Sequence, residues 1–89
     1  MGKPTNFTPQ LPQHRTTRLD VAAFLIVRGF QIARVDIDGA TATFVFDDPK
    51  GEADSVTREF YNGSQVAASE YAAAQKRTRD LMWEARRAS

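Results

Sequence analysis

Eighty-nine residues, 42% of them hydrophobic and 26% charged, are enough for one globular domain and no more. No apolar run approaches the ~18–20 residues of a membrane span, Met1 to Thr17 holds no signal-peptide apolar region, and the lack of cysteine excludes disulfides, thiol nucleophiles and thiolate zinc sites. The net charge of +1 conceals a polarised chain, with three bases and no acids in residues 1–19, four bases against eight acids in 20–63, and five against three in 64–89. That balance demands no nucleic-acid partner, and it lets the basic ends lie beside the acidic middle of the same chain or of a neighbour. A cytoplasmic protein with no membrane contact is expected.

Residues 1–16 read as a flexible tail, and 17–89 as the domain. Pro4, Pro9 and Pro12 oppose helix and central strand pairing, leaving Phe7 and Leu11 as the only anchors. A first helix is expected from about Arg18 to Arg28, with Thr17 as N-cap and Asp20 favouring the positive helix start. Leu19, Ala22, Ala23, Phe24, Leu25, Ile26 and Val27 make it apolar over most of its surface, so it must be packed on more than one side. Gly29 supplies the stop.

A hairpin follows, with Phe30–Ile37 and Ala40–Asp47 flanking Asp38-Gly39, a type I′ turn signal. That register sets Ile37 opposite Ala40, Val35 opposite Ala42 and Ala33 opposite Phe44 on one apolar face. Arg34, Asp36, Thr41 and Thr43 take the other face. Ile32 would pair with Val45 on that outer side, so either a bulge re-aims the strand start or the hairpin is covered on both sides there. A second helix is expected over about 52–61, with Ala53, Val56 and Phe60 inward and Asn62-Gly63 ending it. Val66 anchors a short connection, and a third helix runs from about Ala68 to Arg87. The fold class is α+β, in the order α-β-β-α-α, with helices packed on an antiparallel hairpin.

Thr17-x-x-Asp20 before an alanine-rich apolar helix, then Gly29-Phe30, Thr43-Phe44-Val45-Phe46-Asp47-Asp48 and Phe60-Tyr61-Asn62-Gly63, resembles a family of small bacterial and phage-associated domains of unknown function. The likeness covers roughly residues 17–82. It implies the helix–hairpin–two-helix layout and no activity. The proline-bearing tail and the Trp83-Arg86-Arg87 end lie outside it.

Catalytic and metal chemistry find little support in these residues. His14, the one histidine, sits in the tail, away from the rigid shell a catalytic base requires. Asp36-x-Asp38-Gly39 matches the middle of a calcium loop, but Arg34 and Val45 then occupy its first and twelfth positions, where carboxylates belong. Asp47, Asp48, Glu52 and Asp54 form an acidic patch better explained by helix-start electrostatics and an Asp cap than by a metal. Asp36 and Asp38 lie some 20–25 Å along the strand from that patch and do not complete it. Tyr61 and Tyr71 have no identifiable partner base and read as packing residues. No enzyme, cofactor or metal is expected.

The third helix carries the strongest signal. Tyr71, Ala74, Thr78, Leu81, Met82 and Ala85 form its inner stripe. At about 100° per residue, Trp83 lies more than about 90° from the centre of that stripe. Its neighbours there are Lys76, Arg79, Arg86 and Arg87. These five residues are the candidate interaction site. The primary expectation is a protein-interaction module that docks through an aromatic anchor ringed by arginines. The alternative is a nucleic-acid-binding protein that uses the same stripe, with Trp83 stacking on a base. A homodimer is also expected, through the hairpin edge or the helix faces. The strand Ala42-Thr43-Phe44-Val45-Phe46 is β-prone and uncharged, and no third strand is evident to cover its edge unless the tail around Phe7 adds one.

Overall fold

The structure, a computed structural model, describes residues 12–88. Its elements are β1 (Gln13–Thr16), α1 (Leu19–Val27), β2 (Ile32–Asp38), β3 (Thr41–Asp47), α2 (Ala53–Tyr61) and α3 (Ala68–Ala88). The strands form one antiparallel sheet in the order β1-β3-β2. The fold is α+β as expected, with one strand more than the sequence revealed.

That strand corrects the tail boundary. Gln13, His14, Arg15 and Thr16 pair with Asp47, Phe46, Val45 and Phe44 of β3, and the Asp48 N–H donates to the Pro12 carbonyl at 2.8 Å. Backbone bonding holds this polar segment in place, which is why no hydrophobic pattern announces it. The expected anchors Phe7 and Leu11 lie outside the described residues. With β1 in place, β3 is the central strand. The premise that its edge needs a second copy is therefore overturned.

The hairpin keeps its predicted faces with a different register. The residue numbers of paired positions add up to two more than expected: Val35 lies opposite Phe44, Ile37 opposite Ala42 and Asp38 opposite Thr41. A shift of two preserves side-chain direction, whereas a shift of one would have exchanged core for solvent. The cause is the turn. Type I′ needs positive φ at both central residues, and among the described residues none other than glycine has positive φ. The chain turns through Gly39-Ala40 instead, with Gly39 at φ +61°, as in a type II′ turn. Asp38 thus stays in its strand. Of the two sequence alternatives at the strand start, the bulge is the one realised. The register slips between Ile32 and Arg34, so Ile32 lies opposite Phe46 rather than Val45 and packs against the core.

α1 carries five consecutive buried residues, Val21 to Leu25, because α2, α3 and β1 all contact it. Most of its apolar excess is thus absorbed within the chain, while Leu19 stays exposed and Ile26 and Val27 are half-buried. The expected Thr17 cap is replaced. Arg18 holds the N-cap position without a side-chain cap bond, while Asp20 Oδ1 accepts the Val21 N–H at 2.8 Å. At the other end, Gly29 (φ +93°) permits a Schellman closure. Its N–H donates to the Ile26 carbonyl, and that of Phe30 donates to Leu25.

α2 begins under a buried aspartate. Asp48 Oδ1 accepts the N–H groups of Glu52 and Ala53 at 2.8 and 3.2 Å. The residue is only 7% exposed. An aspartate caps this helix as expected, but from across the Asp48–Gly51 turn. Because this one side chain joins the end of β3 to the start of α2, Asp48→Ala should cost about 1–2 kcal/mol, read as a lowered urea midpoint at unchanged slope.

α3 buries Ala74 and Thr78 and packs Tyr71, Leu81 and Met82 against the core formed by Phe24, Leu25, Phe44, Phe46 and Val56. This is the predicted stripe. Tyr71 Oη donates to the Asp20 carbonyl at 3.2 Å, tying α3 to the start of α1. Burial raises the Tyr71 phenol above its ordinary value, and the Asp20 charge adds to that rise.

Arg18 donates two bonds to Asp20, at 3.1 and 2.8 Å, and these hold the Asp20 carboxyl below its ordinary range. A depressed carboxyl contributes stability above the unfolded-state value and loses it as pH falls through the folded one. Asp20→Asn should therefore flatten the acid limb of a stability–pH curve below the ordinary carboxylate range and leave the neutral region's slope unchanged.

Candidate functional site

Two classes of side chain stand out on the exposed surface: large apolar groups left in water and cations without an internal task. Among the described residues, Leu19, Tyr61 and Trp83 are the exposed large hydrophobics, and Trp83 is 54% exposed. Its place follows from helical geometry. The inner stripe of α3 fixes the helix against the core, and residue 83 falls on the far side.

The five candidate residues divide into two groups. Lys76 Nζ lies 2.9 Å from Asp80 Oδ2, one turn along α3, so its charge is locally matched. Arg86 reaches the hairpin turn, where Nη2 donates to the Ala40 carbonyl at 2.8 Å and Nη1 to that of Gly39 at 3.4 Å. It tethers the end of α3 to the β2–β3 turn and acts as a positioning residue rather than a contact residue. Arg79 and Arg87 are exposed and lie four residues before and after Trp83, on adjoining turns of the same face. The structure therefore narrows the site to Arg79, Trp83 and Arg87, mounted on a helix that Arg86 and the core hold in place.

No sequence signal pointed to the Arg86 tether, since its partners lie 46 and 47 residues away. A second arrangement was also missed. On the helix-free face of the sheet, Arg15 of β1 and Arg34 of β2 both reach Asp36, at 3.3 and 2.9 Å. Both arginines lie opposite Val45 in the register, and Val45 is fully buried. The two arginines thus flank an apolar residue on the face of the sheet turned away from the described helices.

The remaining candidates fall apart as a chemical site. His14 Nδ1 is 4.0 Å from Asp54 Oδ1, beyond hydrogen-bond reach. Asp48 is committed to its helix cap and Asp36 to two arginines. Among the described residues, no group of three or more His, Asp or Glu is placed to hold a metal ion. Tyr71 packs as expected. Tyr61 does not, being 57% exposed, with the Arg18 guanidinium 5.6 Å from its ring centroid. No helix among the described residues is long and apolar enough to cross a membrane.

The sequence model of a family described as a domain of unknown function (DUF5659) matches residues 12–84. No curated protein and no solved structure matches the chain.

Proposed function

The chain belongs to the DUF5659 family of domains of unknown function, and from that premise we propose that it is a non-catalytic interaction module that docks an acidic protein surface through the outer face of α3. One observation carries the reading: Trp83 is 54% exposed between two exposed arginines on a helix whose opposite stripe is buried. An exposed tryptophan gains little by facing water. Buried at a contact, it supplies the largest apolar area of any side chain, and Trp and Arg are enriched among residues that dominate binding energies. Arg79 and Arg87 give the anchor a cationic rim that selects for acidic neighbours. The cysteine-free sequence supports a cytoplasmic setting.

The same face on a nucleic acid is the second reading, and counting charges weighs against it. With Lys76 matched by Asp80 and Arg86 held at the hairpin turn, Arg79 and Arg87 remain to neutralise phosphates. Two contacts give a logarithmic salt slope of about −2 at most, too shallow for the electrostatic share of a dedicated nucleic-acid binder.

The experiment is a titration of the protein with a glutamate-rich helical peptide, following the emission of its single tryptophan. A saturable blue shift that weakens in Arg79→Glu supports the reading. An unmoved spectrum, with steep salt-dependent quenching by oligonucleotides instead, replaces it with the second.

A further inference from the structure

The sheet ends at β2 on one side, and α3 runs alongside that free edge. Between them lies an open groove lined by Arg34, Val35, Leu81 and Ala85 and continued by Ile37 and Ala88. This surface is separate from the Trp83 face, on the other flank of α3. Past the bulge at Ala33, the stretch Arg34–Asp38 pairs regularly with β3, and its other side has no strand partner among the described residues. A strand edge of this kind is a template for another strand.

We propose that the occupant is a second copy of this chain, with β2 pairing antiparallel to β2 across a two-fold axis at Val35 to give a continuous six-stranded sheet. Charge complementarity selects both partner and register. A two-fold that keeps both helical layers on one side of the sheet must centre on a residue, because a half-step would set inward side chains opposite outward ones. Centring on Arg34 puts Arg34 opposite Arg34, and centring on Asp36 puts Asp36 opposite Asp36. Both juxtapose like charges directly, which destabilises a ladder. Centring on Val35 places Arg34 of each copy opposite Asp36 of the other, twice, with Val35 against Val35 between them. The flank of α3 repeats the pattern. Arg77 and Glu84 both line the groove, on either side of Leu81. Two α3 helices approaching antiparallel about Leu81 set Arg77 of one copy against Glu84 of the other.

The inference is independent of the Trp83 reading, and its test uses the protein alone. Sedimentation equilibrium at high micromolar concentration should show a dimer for the wild type. Arg34→Asp and Asp36→Arg each place like charges across the axis twice, and each should weaken the dimer by about tenfold or more at low salt. An equimolar mixture of the two variants should associate as a heterodimer, because every cross-axis pair is then of opposite sign. An internal Arg34–Asp36 role alone would not produce that rescue. Far-UV circular dichroism checks that both variants keep the fold. Trp83→Ala should leave the mass unchanged. The proposal is overturned by a monomeric wild type, by a mixture no more associated than its components, or by dissociation in Trp83→Ala, which would move the contact to the opposite flank of α3.

Discussion

Replacing Phe44 with alanine should remove about a third or more of the domain's stability. Phe44 is fully buried at the middle of the central strand, with Thr16 of β1 on one side and Val35 of β2 on the other, and it belongs to the core beneath α1. Its truncation removes the transfer energy of the ring and leaves a cavity that three flanking elements cannot close. Such changes cost about 3–5 kcal/mol. A domain of this size is worth only about 4–13 kcal/mol in total, at roughly 0.05–0.15 kcal/mol per residue, so the loss consumes much of its stability. Urea unfolding followed by far-UV circular dichroism should show the midpoint fall by more than about a third. The same substitution at Val45, which lies opposite Arg15 and Arg34 in the ladder, should cost less, because it removes only two buried methyl groups and leaves a smaller cavity.

The second large effect is on binding and not on folding. Trp83→Ala should weaken docking by about 2 kcal/mol or more, roughly thirtyfold in affinity, as expected for a tryptophan at the centre of a contact. Its effect on stability should stay within about 0.5 kcal/mol, the usual range for exposed positions. Arg86→Ala should show the reverse balance. Loss of its bonds to the hairpin turn loosens the end of α3 and lowers the urea midpoint, and binding suffers only through the less firmly held helix. Calorimetry with the glutamate-rich peptide, alongside urea melts of both variants, separates the two roles.

What the sequence disclosed and what it hid follow from the range of the interactions involved. The faces of α3 were legible because a helix's period is local: Tyr71, Ala74, Thr78 and Leu81 mark the core side without knowledge of anything else. The stop at Gly29 was legible for the same reason. The hairpin's faces survived although its register did not, since Asp38-Gly39 and Gly39-Ala40 are both acceptable two-residue turns and only the backbone angle at Asp38 distinguishes them. β1 was hidden because Gln-His-Arg-Thr has no apolar alternation. Its place is set by β3's unpaired edge, a tertiary feature. In the candidate site, Trp83 with Arg79 and Arg87 was legible as a stripe, but the sorting of its cations was not. Lys76 pairs within its own helix, whereas Arg86 bonds a turn in another part of the chain, and spacing along α3 gives both the same weight.

The most direct test of the central claim is the emission of Trp83, the only tryptophan in the chain, titrated in parallel with the glutamate-rich helical peptide and with single- and double-stranded oligonucleotides at two salt concentrations. The account predicts a solvent-exposed spectrum for the free protein, a saturable blue shift with the peptide, and little response to either oligonucleotide at the higher salt. Silence toward the peptide together with strong oligonucleotide quenching that falls steeply with salt would contradict it and assign the α3 face to nucleic acid.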